Sequence, residues 1–186
     1  YCRGRIQPYQ QQVINQTMEQ FNPFTLVGKQ ILVTGASSGI GKAIAVACAK
    51  MGATVIVTGR NVERLNETLN LMSEGDHKAI SADLTKAEDI ESLVAELPKL
   101  DGLVQCAGVG SRVPCKNIGK EDLQHVFMPN VEAPILFQTA ILSKRKINKA
   151  ASIVYVASRA ANAPSVGNAA YSASKGAIIS YAKCLA

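Results

Sequence analysis

A phenol and an ammonium stand four residues apart in Tyr171-Ser172-Ala173-Ser174-Lys175. At helical spacing the two share one face. An ammonium beside a phenol favours the phenolate; free tyrosine titrates near ~10, and each unit of lowering corresponds to about 1.4 kcal/mol. A tyrosine drawn towards neutrality can donate a proton to a carbonyl oxygen, or remove it in the reverse direction. Ser158 follows the apolar run Ser152-Ile153-Val154-Tyr155-Val156 and offers a hydroxyl to the same oxygen. Taken alone, a Tyr–Lys pair of this kind is more often an exposed helix start than a proton-transfer device.

A second group of residues suits a phosphate. Gln30-Ile31-Leu32-Val33-Thr34 is a short apolar run of the kind a buried strand needs, and Gly35-Ala36-Ser37-Ser38-Gly39-Ile40-Gly41 follows it directly. Beyond the turn, Ile40, Ala43, Ile44, Ala47, Cys48 and Met51 recur at three- and four-residue intervals, which predicts a helix with those residues on its inner face. The first N–H groups of that helix would be unpaired, with the helix dipole behind them and glycines that let a phosphate approach the backbone. Ser38 is placed to cap the helix. The spacing is Gly-x-x-x-Gly-x-Gly rather than Gly-x-Gly-x-x-Gly, and a turn of glycines used only for close packing remains an alternative.

Composition excludes little but points one way. The chain has 186 residues, enough for one domain with a real core, with 47% apolar and 18% charged residues. Its net charge of +6 is spread along the chain; only Lys144-Arg145-Lys146 is a cluster, read as a solvated helix end, so no nucleic acid is expected. Cys2, Cys48, Cys106, Cys115 and Cys184 form no C-x-x-C pair, which suggests thiols used as small hydrophobes in a reducing, cytoplasmic setting. His77 and His125 lack metal-ligand spacing, and no metal is expected. No apolar run is long enough for a membrane span, and no signal-peptide pattern is found.

The elements that must position these residues alternate. Strands are predicted over 53–58, 78–82, 102–106 and 152–156. Gly52 ends the first helix and Asn61 caps a second running to Met72, with Leu65, Leu69 and Met72 on one face. Thr85 opens a third over 86–97, with Ile90, Leu93, Val94 and Leu97 inward and Pro98 beyond it. A long helical region over 120–146 is interrupted near Pro129 and Pro134, and a last helix begins at Tyr171. Alternation of this kind predicts an α/β fold, a Rossmann-like doubly wound parallel sheet in three α/β/α layers, with ligands beyond the carboxyl ends of the strands. Arg60, just past the second strand where an acidic residue would bind ribose hydroxyls, favours a 2′-phosphate and hence NADP(H) over NAD(H). Asp83, past the third strand, is placed for an adenine amino group; a charge complementing a helix N-terminus is the alternative.

Thr34-Gly35-x-x-x-Gly39-Ile40-Gly41, Asp83-Leu84, Ala107-Gly108, Asn130, Ser158 and Tyr171-x-x-x-Lys175 occur in that order. Together they resemble the short-chain dehydrogenase/reductase family, from about Gly28 to Ala186, and most closely its bacterial 3-oxoacyl-acyl-carrier-protein reductase type. The resemblance implies that Tyr171 is the general acid/base, that Lys175 lowers its pKa and bonds the nicotinamide ribose, and that Ser158 polarises the substrate carbonyl. It implies that Asn130 holds a water continuing the relay from Lys175. Gly35, Ser37, Ser38, Gly39, Ile40 and Gly41 would form the phosphate turn, Asp83 and Leu84 would line the adenine, and Ala107 and Gly108 would let the cofactor pass the fourth strand. The chain departs from the family at Gln105-Cys106-Ala107-Gly108, where Asn-Asn-Ala-Gly is usual.

The expected activity is hydride transfer between NADP(H) and a carbonyl or secondary alcohol, with a 3-oxoacyl thioester as one substrate. A sugar or polyol dehydrogenase of the same fold and a non-catalytic dinucleotide-binding module are the alternatives. A homodimer or homotetramer is expected, packing through the helices that carry Ile135, Leu136, Ile141, Ile178 and Ile179, though core packing explains those residues equally. The chain begins on Tyr1 and ends at Ala186 inside an apolar helical pattern, so it is read as a fragment. Residues 1–27 form a polar leader in that reading, with Met18 as the true start, and 28–186 a dinucleotide-binding domain that lacks the family's last strands. Such a chain is expected to turn over poorly.

Overall fold

The computed structural model describes residues 22–185; the readings made for residues 1–17, Cys2, Met18 and Ala186 lie outside the described residues. In chain order the elements are β1 (Gln30–Thr34), α1 (Gly39–Lys50), β2 (Thr54–Gly59), α2 (Val62–Asn70), β3 (Lys78–Ser81), α3 (Ala87–Glu96), β4 (Leu100–Gln105), α4 (Lys120–Phe127), α5 (Ala133–Ser143), β5 (Ile147–Tyr155) and α6 (Ala169–Cys184). A π-helical turn, Met128–Glu132, joins α4 to α5, and a short 3-10 turn, Arg159–Ala161, follows β5. All pairings are parallel, and the strand order is β3-β2-β1-β4-β5. The chain therefore runs outward from β1 through β2 to β3, then returns to the other side of β1 with β4. That reversal opens a crevice at the carboxyl ends of β1 and β4.

β1 is apolar on both faces because helices cover both. Leu32, with Ile56 and Leu103, packs against Leu93 and Leu97 at α3 and Phe137 and Ile141 of α5. Ile31 and Val33, with Val55 and Val57, pack against Ala45 and Ala49 of α1 and Leu65 of α2. Each large side chain buried this completely contributes roughly 1.5–3 kcal/mol. The three-layer doubly wound sheet expected from the alternation is what the chain forms. Ile90, Leu93, Val94 and Leu97 are all buried as their spacing requires. Ile141 and Ile178 are core residues too, so their apolar character needs no partner chain.

Several local expectations are corrected. The face of α1 that meets the sheet is Gly41, Ala45 and Ala49, flanked by Ile44 and Cys48, whereas Ile40 is 63% exposed. Small residues win over larger ones because the helix must approach closely: a Cβ on Gly41 would overlap the Gly35 carbonyl. Ser38 stands at the N-cap position of α1 but its hydroxyl makes no cap bond. Thr85 does not open α3 either. It bonds Asp83 instead, through its N–H at 3.1 Å and its hydroxyl at 2.8 Å, and α3 starts after Lys86.

Asn61 does cap α2, accepting from the Arg64 N–H at 2.8 Å, but that helix ends at Asn70 rather than Met72. β5 begins at Ile147, five residues before the predicted strand. Its first pair, Leu100 with Ile147, is separated by a register shift from the next, Gly102 with Ser152. Lys146 is not merely solvated: its ammonium donates to the Ala95 and Leu97 carbonyls at 3.1 and 2.6 Å, closing the end of α3.

Of the two prolines in the long helical region, Pro129 lies in the π turn. Pro134 sits in the first turn of α5, directly after the π turn, without breaking the helix.

Candidate active site

The crevice at the switch point has a volume of about 730 Å³ and runs from the ends of β2 and β3 across β1 to β4 and α6. Gly35, Ser37, Ser38, Gly39, Ile40 and Gly41 line its centre. The first bond of α1 is from the Lys42 N–H to the Ser38 carbonyl at 3.2 Å, so the amides of Gly39, Ile40 and Gly41 have no acceptor among the described residues. They stand at the positive end of the helix dipole. Gly39 has φ +53°, and a Cβ there would meet no protein atom within 4 Å. Gly35, at φ +66°, lies against β4, where a Cβ would come within 2.7 Å of the Ala107 Cα. Beneath the turn, Thr34 Oγ1 accepts from the N–H groups of Cys106 and Ala107 at 3.0 and 3.1 Å and ties the two strand ends together. Open donors, a positive helix end and an unfilled glycine surface fit the phosphates of a dinucleotide.

At the β2–β3 end, Arg60, Asp83 and Leu84 line the crevice as the sequence predicts, and Arg64 and Thr58 join them. Burial pushes the Asp83 carboxyl up, but the two Thr85 hydrogen bonds and the charges of Arg60 and Lys86 outweigh it and hold the group below the usual carboxylate range. The Thr58 hydroxyl is fully buried and has no hydrogen-bond partner among the described residues. Such an orphaned group on a crevice wall suits a polar ligand.

At the β4–α6 end the side chains of Asn130, Ser174 and Lys175 are buried and paired, and that of Tyr171 is half-buried. Tyr171 and Lys175, one turn apart on α6, both line the crevice, with Ala107 and Gly108 opposite. Lys175 is only 7% exposed, and its ammonium donates to the Val156 carbonyl at 2.8 Å. Burial lowers its pKa, opposed by the Cys106 thiol, and burial raises the Cys106 thiol, opposed by Lys175. Asn130 is 2% exposed. Its Oδ1 accepts from the Val109 N–H at 2.8 Å, and its Nδ2 donates to the Val109 carbonyl at 2.9 Å and to Ser174 Oγ at 3.0 Å. The π turn that carries Asn130 follows from Pro129, which cannot donate to the α ladder. A Cβ on Gly108 would lie 2.7 Å from Asn130 Oδ1 and 3.6 Å from Lys175 Nζ, so these three groups meet at one point.

All the residues predicted to hold the cofactor therefore line one crevice, together with Tyr171 and Lys175. Asn130 stands behind that wall. Ser158 caps the 3-10 turn after β5, its oxygen accepting from the Ala160 N–H at 3.1 Å; Val156 and Ala157, not Ser158, line the crevice there. Sequence reasoning missed Arg64, Thr58, Val109 and Ser174. Arg64 was readable as a cation in the first turn of the helix that follows Arg60. Val109 and Ser174 carry no local signal, because Asn130, which joins them, lies 21 and 44 residues away along the chain. Among the described residues no helix is long and apolar enough to cross a membrane, and no group of three or more His, Cys, Asp or Glu is placed to hold a metal.

The family model described as short chain dehydrogenase matches residues 29–186. The 3-oxoacyl-[acyl-carrier-protein] reductase FabG of Rickettsia felis is 33% identical over 160 residues, covering 86% of this chain and 66% of that protein. Glucose 1-dehydrogenase of Gluconobacter oxydans is 36% identical over 167 residues, covering 86% of this chain and 63% of that one. The chain thus spans about two thirds of the length of the curated relatives it matches. Among solved structures, a short chain dehydrogenase from Escherichia coli CFT073 complexed with NADPH superposes with a TM-score of 0.74 at 33% identity, covering 82% of this chain and 68% of that one.

Proposed function

The chain belongs to the short-chain dehydrogenase family, and we propose that it is an NADP(H)-dependent oxidoreductase that interconverts a carbonyl group and a secondary alcohol. One observation carries the proposal: Tyr171 and a nearly buried Lys175 line the same crevice as the open amides of α1. The nicotinamide, when bound, supplies or accepts the hydride. The backbone N–H groups of Gly39, Ile40 and Gly41 would hold the cofactor's phosphates, and Arg60 and Arg64, which line the β2–β3 end of the crevice, would supply charge for a 2′-phosphate. Tyr171 gives its hydroxyl proton to the carbonyl oxygen, or takes it back from the alcohol. Lys175, held by the Val156 carbonyl, stands one turn further along α6 than that phenol. Ser158, expected to share the substrate oxygen, caps the 3-10 turn after β5 and does not line the crevice, so this reading leaves that oxygen to Tyr171. The Asn130 side chain has no hydrogen left to give. A relay water at Asn130 must therefore meet its backbone carbonyl or the second lone pair of Oδ1.

The names of the relatives favour a 3-oxoacyl thioester as substrate, and the 36% identity to a glucose 1-dehydrogenase supports a sugar or polyol as the second reading. Steady-state oxidation of NADPH and NADH against 3-oxoacyl thioesters and reduction of both NAD(P)+ forms by aldoses separate the two. Turnover of thioesters with NADPH is the expected result. NADPH binding without turnover of either class would leave a non-catalytic dinucleotide-binding module.

A further inference from the structure

Ser174 lies inside the Tyr171–Lys175 turn, is fully buried, and has so far been given no role. Its oxygen accepts from Asn130 Nδ2 at 3.0 Å, and its proton goes to the Tyr171 carbonyl at 2.7 Å. Asn130 in turn clamps Val109 through both that residue's N–H and its carbonyl, at 2.8 and 2.9 Å. The direction of each bond in this chain is fixed. A backbone N–H only donates, so Oδ1 must face the Val109 N–H and Nδ2 must face the Val109 carbonyl and Ser174. Ser174 must then accept from Asn130, which leaves its single proton for the Tyr171 carbonyl. Every hydrogen in the chain has an acceptor, and each member is held in one orientation by the next.

The two ends of this chain both line the crevice. Val109 is part of the wall after β4, and Tyr171 and Lys175 form the wall of α6. Beside the chain, a Cβ on Gly108 would lie 2.7 Å from Asn130 Oδ1 and 3.6 Å from Lys175 Nζ, so a small drift of the loop changes the space at the ammonium. Removing the Ser174 hydroxyl would leave one buried hydrogen of Asn130 unpaired, and a buried unpaired donor drives its group to rotate or the structure to open.

We propose that Ser174 is a positioning residue that, through Asn130, holds the Val109 loop in register with the helical turn carrying Tyr171 and Lys175. Its effect on turnover rests on the oxidoreductase reading; the mechanical link does not.

Two measurements on the full chain test it. The first is residue-resolved amide hydrogen exchange in wild type, Ser174→Ala and, as a control on the same helix, Ser172→Ala. Ser174→Ala is expected to speed exchange of the Val109 N–H about tenfold, while Leu32, Val33 and Thr34 keep their rates. The second is steady-state turnover, where Ser174→Ala is expected to lower kcat about tenfold at an unchanged KM for NADPH. Ser172→Ala should move neither. An unchanged Val109 rate in Ser174→Ala, or acceleration equal to that in β1, overturns the link. A kcat that stays at the wild-type value overturns the positioning role. If no variant, nor wild type, turns over any carbonyl, the oxidoreductase reading fails and the exchange rates alone decide the link. Should Ser174→Ala not fold, Ser174→Cys is read by the same criteria, since it keeps the side chain's volume with a weaker donor and acceptor.

Discussion

The two ends of the crevice are built on opposite principles. The end over β1, β2 and α1 relies on backbone amides, on glycines and on side chains that reach into solvent, as at Arg60 and Ile40. Each piece sits within a few residues of the strand that presents it. The end at β4 and α6 draws Val109, Asn130, Val156, Ser174 and Lys175 from four separate segments and buries most of their polar atoms in mutual hydrogen bonds. The first arrangement suits holding a ligand that comes and goes. The second suits fixing a proton donor and a charge that must not move. Substitutions at the two ends should therefore separate binding from turnover.

Lys175→Met breaks the second end most severely. It removes the ammonium one helical turn from Tyr171 and leaves the Val156 carbonyl without its donor, so kcat is expected to fall ~100-fold or more while NADPH binding, read by reduced-nicotinamide fluorescence, weakens less. Equal losses in both would mean that the two ends are not separable. Arg60→Glu acts on the other end. Losing charge-assisted bonds worth about 1.5–3 kcal/mol should lower the preference for NADPH over NADH about 10- to 100-fold, with kcat at saturation nearly unchanged. Competitive titration with the two reduced cofactors reads this directly.

Gly39→Ala is a smaller perturbation. The residue's φ of +53° costs an alanine about 1 kcal/mol, which lowers Tm by ~2–4 °C in a chain of this size, and the added Cβ should also weaken NADPH binding. A calorimetric scan and the same titration check both halves of that statement.

The smallest effect concerns pH. Tyr155 packs edge-on against Tyr181 with ring centroids 5.9 Å apart, and burial first, then Tyr181, pushes its phenol above the ordinary value of 10.0. A folded-state value above the unfolded one contributes stability that is intact below pH 10.0 and is lost as pH rises from there through the folded value. Lys175 has the opposite sign, since burial lowers it. Its cost is present below the folded value and fades as pH climbs towards 10.5. Tyr155→Phe should therefore flatten the alkaline loss of stability, and Lys175→Met should steepen it, in denaturant titrations between neutral and strongly alkaline pH.

The same contrast explains what was legible in the sequence. The parallel sheet could be read because buried strands such as 30–34 are short apolar runs between helical periods. The phosphate turn and Arg60 could be read because their chemistry is local. The inner face of α1 was misread: periodicity ranks residues by hydrophobicity, while the actual contact is set by how close Gly41, Ala45 and Ala49 let the helix come. Tyr171 and Lys175 were legible as a pair at helical spacing, but their partners were not. Nothing near Ser174 announces Asn130, and nothing near Asn130 announces Val109. Those contacts exist only once β4, the π turn and α6 have been packed together.

The central claim is that one crevice binds NADPH at one end and moves a proton at the other. Tyr171→Phe tests it most directly, because it deletes a single hydroxyl. The prediction is NADPH affinity within about threefold of wild type together with a loss of carbonyl-dependent NADPH oxidation of ~100-fold or more. Turnover retained at the wild-type rate in Tyr171→Phe would contradict the account.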